Sequence, residues 1–209
     1  MDDHVLVREA LSERLGRETD LQMVGAAADA DDALKLAAAD RPDVVLMDID
    51  MPGLVCFEAA ATMMAQYPGI QIVFLSAFFH DRYIEQVLRI KARGYISKRE
   101  PIEAVIQAIR KVAAGGVYFS PEIRTRLVID HEAVRLEGAN VTRFSTLTPR
   151  ELEVLRYVAR GMAKKEIAGL MAISVKTVEN HCGNLMNKLE MHDRVALARF
   201  AFREGLAEP

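Results

Sequence analysis

Five polar residues in the first half of the chain have types and positions suited to phosphate chemistry: Asp2, Asp3, Asp48, Ser76 and Lys98. Asp48 follows the apolar run Val44-Val45-Leu46-Met47, Ser76 follows Ile72-Val73-Phe74-Leu75, and Lys98 comes soon after Tyr95-Ile96. Such runs read as strands buried on both faces of a parallel sheet, where functional groups collect beyond the carboxyl ends of the strands. Asp2 and Asp3 precede a helix expected from about Val5, so all five side chains can meet at one edge of the sheet. Clustered carboxylates repel one another, and the usual reason to gather them is a hard divalent cation such as Mg²⁺, which prefers oxygen ligands. A carboxylate oxygen can also attack phosphorus. With Mg²⁺ and the Lys98 ammonium neutralising a transferring phosphoryl group, Asp48 becomes an aspartyl phosphate and the Ser76 hydroxyl hydrogen-bonds it. Singly, a strand-end Asp is more often a helix cap or a solvated charge; it is the constellation that makes Asp48 a nucleophile. His4 and His80 have no specific role in this reading.

The elements that must position these residues follow from periodicity. Helical spacing over 31–39, 57–66, 81–91 and 101–114 alternates with the two apolar runs and with shorter strands expected over 23–27 and 94–96. That alternation predicts a doubly wound α/β domain over residues 1–116, closed by Gly115-Gly116. Ser120-Pro121-Glu122 has a capping Ser and a Pro at the first helical position, predicting a helix to about residue 130. The stretch 132–145 lacks periodicity and reads as a linker, so residues 117–145 form a linker with one helix.

Order resumes at Leu147. Thr148-Pro149-Arg150-Glu151 is a capping box ahead of Leu152, Leu155 and Val158 at helical spacing, and Gly161 closes that helix. A second helix is expected over 164–171. A third starts after Ser174 with the stripe Val178, Cys182, Leu185 and Leu189, and a fourth over 193–203 carries Val195, Ala198 and Phe202 on one side. Two helices joined by a short turn make a helix-turn-helix, so residues 146–209 form an all-α domain. Lys176, Thr177, Glu179, Asn180, Asn184, Asn187 and Lys188 lie off the apolar stripe of the third helix. A helix entering the major groove needs such a polar outer face: Asn pairs with adenine edges, Glu accepts from cytosine, and Lys reaches guanine or phosphate.

Composition agrees with two packed domains. The 209 residues are 51% hydrophobic, and no apolar run approaches the length of a membrane span. The only two cysteines, Cys56 and Cys182, are far apart and lack metal-ligand spacing, which excludes a disulfide framework and fits a reducing cytoplasm. The net charge of −3 divides unevenly: residues 1–145 carry 17 Lys+Arg against 22 Asp+Glu, and residues 146–209 carry 10 against 8. The C-terminal part is the candidate polyanion binder.

Asp2-Asp3-His4, Met47-Asp48-Ile49-Asp50-Met51-Pro52-Gly53, Ser76-Ala77 and Gly94-Tyr95-Ile96-Ser97-Lys98 resemble, in order and spacing, the receiver motifs of response regulators. Leu147 to Glu151, Lys165-Glu166-Ile167-Ala168, Ser174 to His181 and Lys188-Leu189 resemble the LuxR-type DNA-binding domain. Together they resemble the NarL/FixJ family of two-component response regulators. The resemblance implies a flavodoxin-like receiver with Asp48 as phosphoacceptor, assisted by Ser76 and Lys98. It implies Mg²⁺ on Asp2, Asp3, Asp48 and the Asp50 backbone carbonyl, and a switch role for Tyr95. Lys164 and Lys165 are implied to lie near the DNA backbone. Lys176, Thr177, Glu179, Asn180, His181, Asn184 and Lys188 are the expected DNA-binding residues of the third helix and its surroundings. The implied partners are a sensor histidine kinase, double-stranded DNA carrying an inverted repeat, and a second copy of the chain joined through the final helix.

Three features depart from the receiver pattern. The family has a hydrophobic first strand before its acidic pair, whereas this chain begins Met1-Asp2-Asp3; losing it would leave a gap between the second and third strands, and an N-terminal truncation or misassigned start is the expectation. Val55-Cys56 replaces a polar-Gly pair, and Asp50 adds a negative charge beside Asp48. In the second domain, Gly183 is unusual inside a recognition helix. Two other readings compete. Asp48-Ile49-Asp50 imitates the Asp-x-Asp signature of haloacid-dehalogenase-like phosphatases, although Met-Pro-Gly follows it. A receiver that works without phosphorylation, as a protein-interaction domain beside the same DNA-binding unit, is the other.

Overall fold

A computed structural model of the chain describes residues 1–49, 56–77, 81–129, 134–136, 146–204 and 206. The chain separates into two compact units, Met1–Glu137 and Gly138–Pro209.

In the first unit, α1 (Val5–Leu15) and α2 (Ala30–Asp40) precede an alternation of strands and helices: β1 (Val44–Asp48), α3 (Cys56–Gln66), β2 (Gln71–Ser76), α4 (Asp81–Arg89), β3 (Gly94–Ser97), α5 (Ile102–Ala113) and β4 (Tyr118–Phe119). The four strands form one parallel sheet in the order β1-β2-β3-β4. Register does the positioning. Asp48 lies opposite Leu75 and Ser76 opposite Ser97, so Asp48, Ser76 and Lys98 all reach the carboxyl edge of the sheet. One sheet face packs Val73, Leu75 and Ile96 against Val105, Ile106, Ile109 and Val112 of α5 and Leu15 of α1. Phe74 points to the other face, where its ring stacks 4.9 Å from Phe57 of α3. The unbroken apolar run of β2 is buried on both faces as expected, whereas Val44, Val45 and Leu46 of β1 are only half-buried.

The structure corrects the expected elements at three places. Residues 23–27 are not in a strand: a strand needs a backbone partner, and among the described residues Met1 and Asp2 alone bridge this segment to β1. The Met1 amino nitrogen donates to Leu46 O at 2.9 Å, Asp48 N–H donates to Met1 O at 3.0 Å, and Asp2 N–H donates to Ala27 O at 3.2 Å. Next to this bridge is a cavity of about 550 Å³, lined by Val44, Leu46, Gly25, Leu36, Leu15 and Ile109 among others. The sheet also continues past Gly115-Gly116 into β4, which pairs with Gly94 and Tyr95. Finally, the helix expected over 120–130 is only the single turn α6 (Pro121–Arg124). After it, β5 (Leu127–Ile129) pairs antiparallel with β6 (Val134–Leu136) inside the segment read as linker. The β-branched Val128 and Ile129 favour that extended backbone over a helix.

The second unit contains α7 (Pro149–Ala159), α8 (Lys164–Leu170), α9 (Val175–Leu189) and α10 (Arg194–Arg203). The predicted capping box of α7 forms: Thr148 N–H donates to Glu151 at 2.7 Å and Glu151 N–H to the Thr148 hydroxyl at 3.2 Å. Ser174 caps α9 by accepting from Thr177 N–H at 3.0 Å, and Asp193 caps α10 by accepting from Ala196 N–H at 2.7 Å. Val178, Cys182, Leu185 and Leu189 are buried, as their spacing predicts. The packed face of α10 differs from the expected one: Leu197, Phe200 and Ala201 are buried, while Val195 is 61% exposed. Among the described residues no helix is long and apolar enough to cross a membrane.

Candidate functional site

The carboxyl edge of the first unit's sheet gathers a buried polar cluster. Asp2, Asp48 and Ser76 are 1% exposed or less. Burying carboxylates is costly unless they are paired, and Lys98 is the cation that pairs them. Its Nζ lies 2.7 Å from Asp2 Oδ2 and 2.8 Å from Asp48 Oδ2. The Lys98 backbone N–H donates to Ser76 O at 2.8 Å, which fixes the residue at the end of β3. Burial works against the charged ammonium, yet the adjacent Asp48 and Asp2 carboxylates outweigh it and hold the Lys98 pKa above its ordinary value. Lys98 is therefore an ammonium at neutral pH and a fixed counter-charge for anions at this edge.

Asp2, Asp3, His4 and Asp48 each offer one ligand atom, and these four atoms lie within 4.8 Å of one another. The carboxylate oxygens are the donor type Mg²⁺ prefers. The backbone carbonyl of Asp50, expected as a further ligand, lies outside the described residues. Two members of the cluster's surroundings escaped sequence reasoning. His4 Nδ1 sits 2.9 Å from Asp3 Oδ1 and 3.3 Å from Asp2 Oδ1, and Arg8 donates to Asp2 O at 2.7 Å. His4 adjoins the acidic pair in sequence, but a lone exposed His carries no signal of its own. Tyr95, the expected switch residue, is fully buried.

On the second unit, α9 divides by side. Its apolar stripe faces α7 and α8, and on the opposite side Lys176, Asn180, Gly183, Asn184 and Asn187 are exposed. Glu179 stands on the flank toward α8, with Lys164 Nζ at 3.2 Å and Lys176 Nζ at 3.5 Å. The hydrogen bond from Lys164 and the charges of both lysines lower the Glu179 pKa. Thr177 turns its hydroxyl to Ser174 at 2.8 Å. Lys188, expected at the DNA, is committed elsewhere: Nζ lies 2.7 Å from Glu151 Oε2 and 3.1 Å from Thr146 O, tying the end of α9 to the start of α7. Lys165 is exposed and His181 half-buried on α8 and α9. Burial pushes the Cys182 thiol up, so Cys182 behaves as a small apolar core residue.

Comparison with known proteins agrees with both halves of this geometry. The response regulator receiver domain family matches residues 1–110, and the family described as bacterial regulatory proteins, luxR family, matches residues 145–201. The oxygen regulatory protein NreC of Staphylococcus carnosus is 36% identical over 213 aligned residues, covering 99% of this chain and 97% of that protein. A LuxR-family two-component response regulator from Aurantimonas is 29% identical over 59% of this chain and 89% of its own, with a TM-score of 0.57. The RcsB response regulator of Salmonella typhimurium shares the fold over 97% of this chain and 94% of its own, at 22% identity and a TM-score of 0.70. A buried aspartate at a strand end with a lysine against it, and a helix-turn-helix on a separate unit, are thus the two parts of one architecture: the chain belongs to the NarL/FixJ family of DNA-binding response regulators.

Proposed function

We propose that Asp48 takes a phosphoryl group from a sensor histidine kinase and that this modification controls the binding of α9 to double-stranded DNA. The observation that carries the reading is the buried Asp48 carboxylate with the Lys98 ammonium 2.8 Å away, beside Asp2 and Asp3. In the transfer, an Asp48 carboxylate oxygen forms the new O–P bond as the N–P bond of a phosphohistidine breaks and the imidazole nitrogen leaves with a proton. Asp2, Asp3 and Asp48 would hold a Mg²⁺, which would supply neutralising charge for the phosphoryl oxygens. Lys98 shares that neutralisation, Ser76 hydrogen-bonds the new group, and Tyr95 transmits the change. The chain's own chemistry ends at accepting and losing the phosphoryl group; it is a regulator rather than an enzyme, and it works in the cytoplasm, where its DNA is.

On the DNA side, the exposed Lys176, Asn180 and Asn184 face base edges together with Glu179, which accepts from cytosine, while Lys164, Lys165, Thr177 and His181 border the phosphates. Lys188 supports α9 from behind rather than touching DNA. Val195, with half-buried Ala198 and Phe202, leaves an apolar side of α10 for a second copy, and two copies read an inverted repeat. Labelling tests the phosphoacceptor chemistry. Radiolabelled acetyl phosphate should modify the chain close to stoichiometrically with Mg²⁺, in a hydroxylamine-sensitive linkage, and chelation by EDTA should remove nearly all of the label. Label that survives EDTA, or that resists hydroxylamine, contradicts the assignment.

A further inference from the structure

Gly183 sits at the middle of the 15-residue helix α9, on the exposed side opposite the buried stripe. Glycine is the least favourable non-proline residue at such a position. A packing reason would excuse it, and the described residues offer none: a Cβ built on Gly183 meets none of their atoms within 4 Å. Its neighbours on that side are also short. Asn180 and Asn187 lie one turn away in each direction, Asn184 is the next residue, and all three are exposed. A carboxamide carried on a single methylene reaches much less far than a lysine or arginine head group, so an Asn reads an adenine edge only when the helix backbone lies deep in the groove.

Resting on the reading that α9 enters the major groove, we infer that Gly183 is a specificity-determining residue of the DNA interface. Its missing side chain lets the base edges come up to the backbone of α9, at the depth where Asn180, Asn184 and Asn187 reach adenines. The preferred half-site therefore carries A·T pairs opposite these positions, with a close backbone approach between them.

The test uses the full chain with acetyl phosphate and Mg²⁺, and a duplex selected by it from a random-sequence library. Gly183→Ala should keep or raise the thermal midpoint, yet bind the selected duplex at least ~10-fold more weakly, a loss on the scale of one misread base pair. Its own selected sequences should show a flattened adenine preference. Gly169→Ala provides the matched control: Gly169 is also an exposed helical glycine with open space around it, in α8, and its replacement should leave affinity unchanged. The inference is overturned if Gly183→Ala binds within twofold of the parent with the same preferred sequence, or if Gly169→Ala loses as much. In either case a parent that selects a duplex keeps the DNA-binding reading intact. A parent that enriches no duplex removes both.

Discussion

Replacing Asp48 with Asn should cut phosphoryl incorporation from acetyl phosphate by at least ~100-fold, because the amide keeps the shape of the carboxylate and removes the anionic nucleophile. The surroundings should tolerate the change. Lys98 retains Asp2 at 2.7 Å as its counter-ion, and Asp48 N–H still donates to Met1 O at 3.0 Å. The variant should therefore fold and give circular dichroism like the parent while remaining unlabelled. Asp48→Asn that labels as fast as the parent would move the phosphoacceptor elsewhere.

The second large effect lies in the DNA-binding unit. Glu151 is 3% exposed and does two jobs there: its carboxylate closes the capping box by accepting from Thr148 N–H, and it pairs with Lys188 at 2.7 Å. Glu151→Ala removes a helix cap and a charge-assisted bond while leaving the Lys188 ammonium without its carboxylate. Together these should cost about 2–3 kcal/mol, roughly 30- to 150-fold in the folded population of that unit. Urea unfolding followed on the C-terminal transition measures it; a loss under ~0.5 kcal/mol would mean that the α7–α9 tie contributes little. The pH dependence has a definite sign. Burial alone would raise the Glu151 pKa, but the hydrogen bonds from Lys188 and Thr148 outweigh it and lower the value below its ordinary 4.5. A depressed folded value means the stabilisation is complete above about pH 4.5 and is lost as pH falls from there through the folded value. Glu151→Ala should flatten that acid-side decline of the C-terminal transition.

What the sequence made legible was whatever repeats along one element. The runs Val44–Met47 and Ile72–Leu75 announce strands, fully buried only in the second, and their ends announce Asp48 and Ser76. The stripe Val178, Cys182, Leu185 and Leu189 announces α9 and, by exclusion, its outer face. What stayed hidden depends on partners distant in sequence. The 23–27 segment has strand composition but, among the described residues, no neighbouring strand to pair with. Strand β4 is two residues long, too short for any period to register. Leu127–Ile129 becomes a strand because Val134–Leu136 pairs with it, information that local helix signals at Ser120-Pro121 do not contain. On α10 the heptad-like spacing of Val195, Ala198 and Phe202 fits a helix face equally well as Leu197, Phe200 and Ala201 do, and only packing against α7 chooses. Lys188 looks like a DNA contact until Glu151, 37 positions earlier in sequence, is found 2.7 Å away. The pocket shows the same limit: composition singles out Asp2, yet its bond to Lys98 spans 96 positions. The phosphatase alternative rested on Asp50, a residue outside the described ones, and the receiver match over residues 1–110 leaves it without support.

A single titration links Asp48 to DNA affinity. The dissociation constant for a selected inverted-repeat duplex is measured on the full chain at fixed salt, with and without acetyl phosphate and Mg²⁺. The account predicts binding at least ~5-fold tighter with the donor, within the range of ordinary allosteric coupling, and no such change in Asp48→Asn. Equal affinity with and without the donor, on a chain shown to be labelled, would contradict it and leave a receiver that regulates DNA binding without phosphorylation.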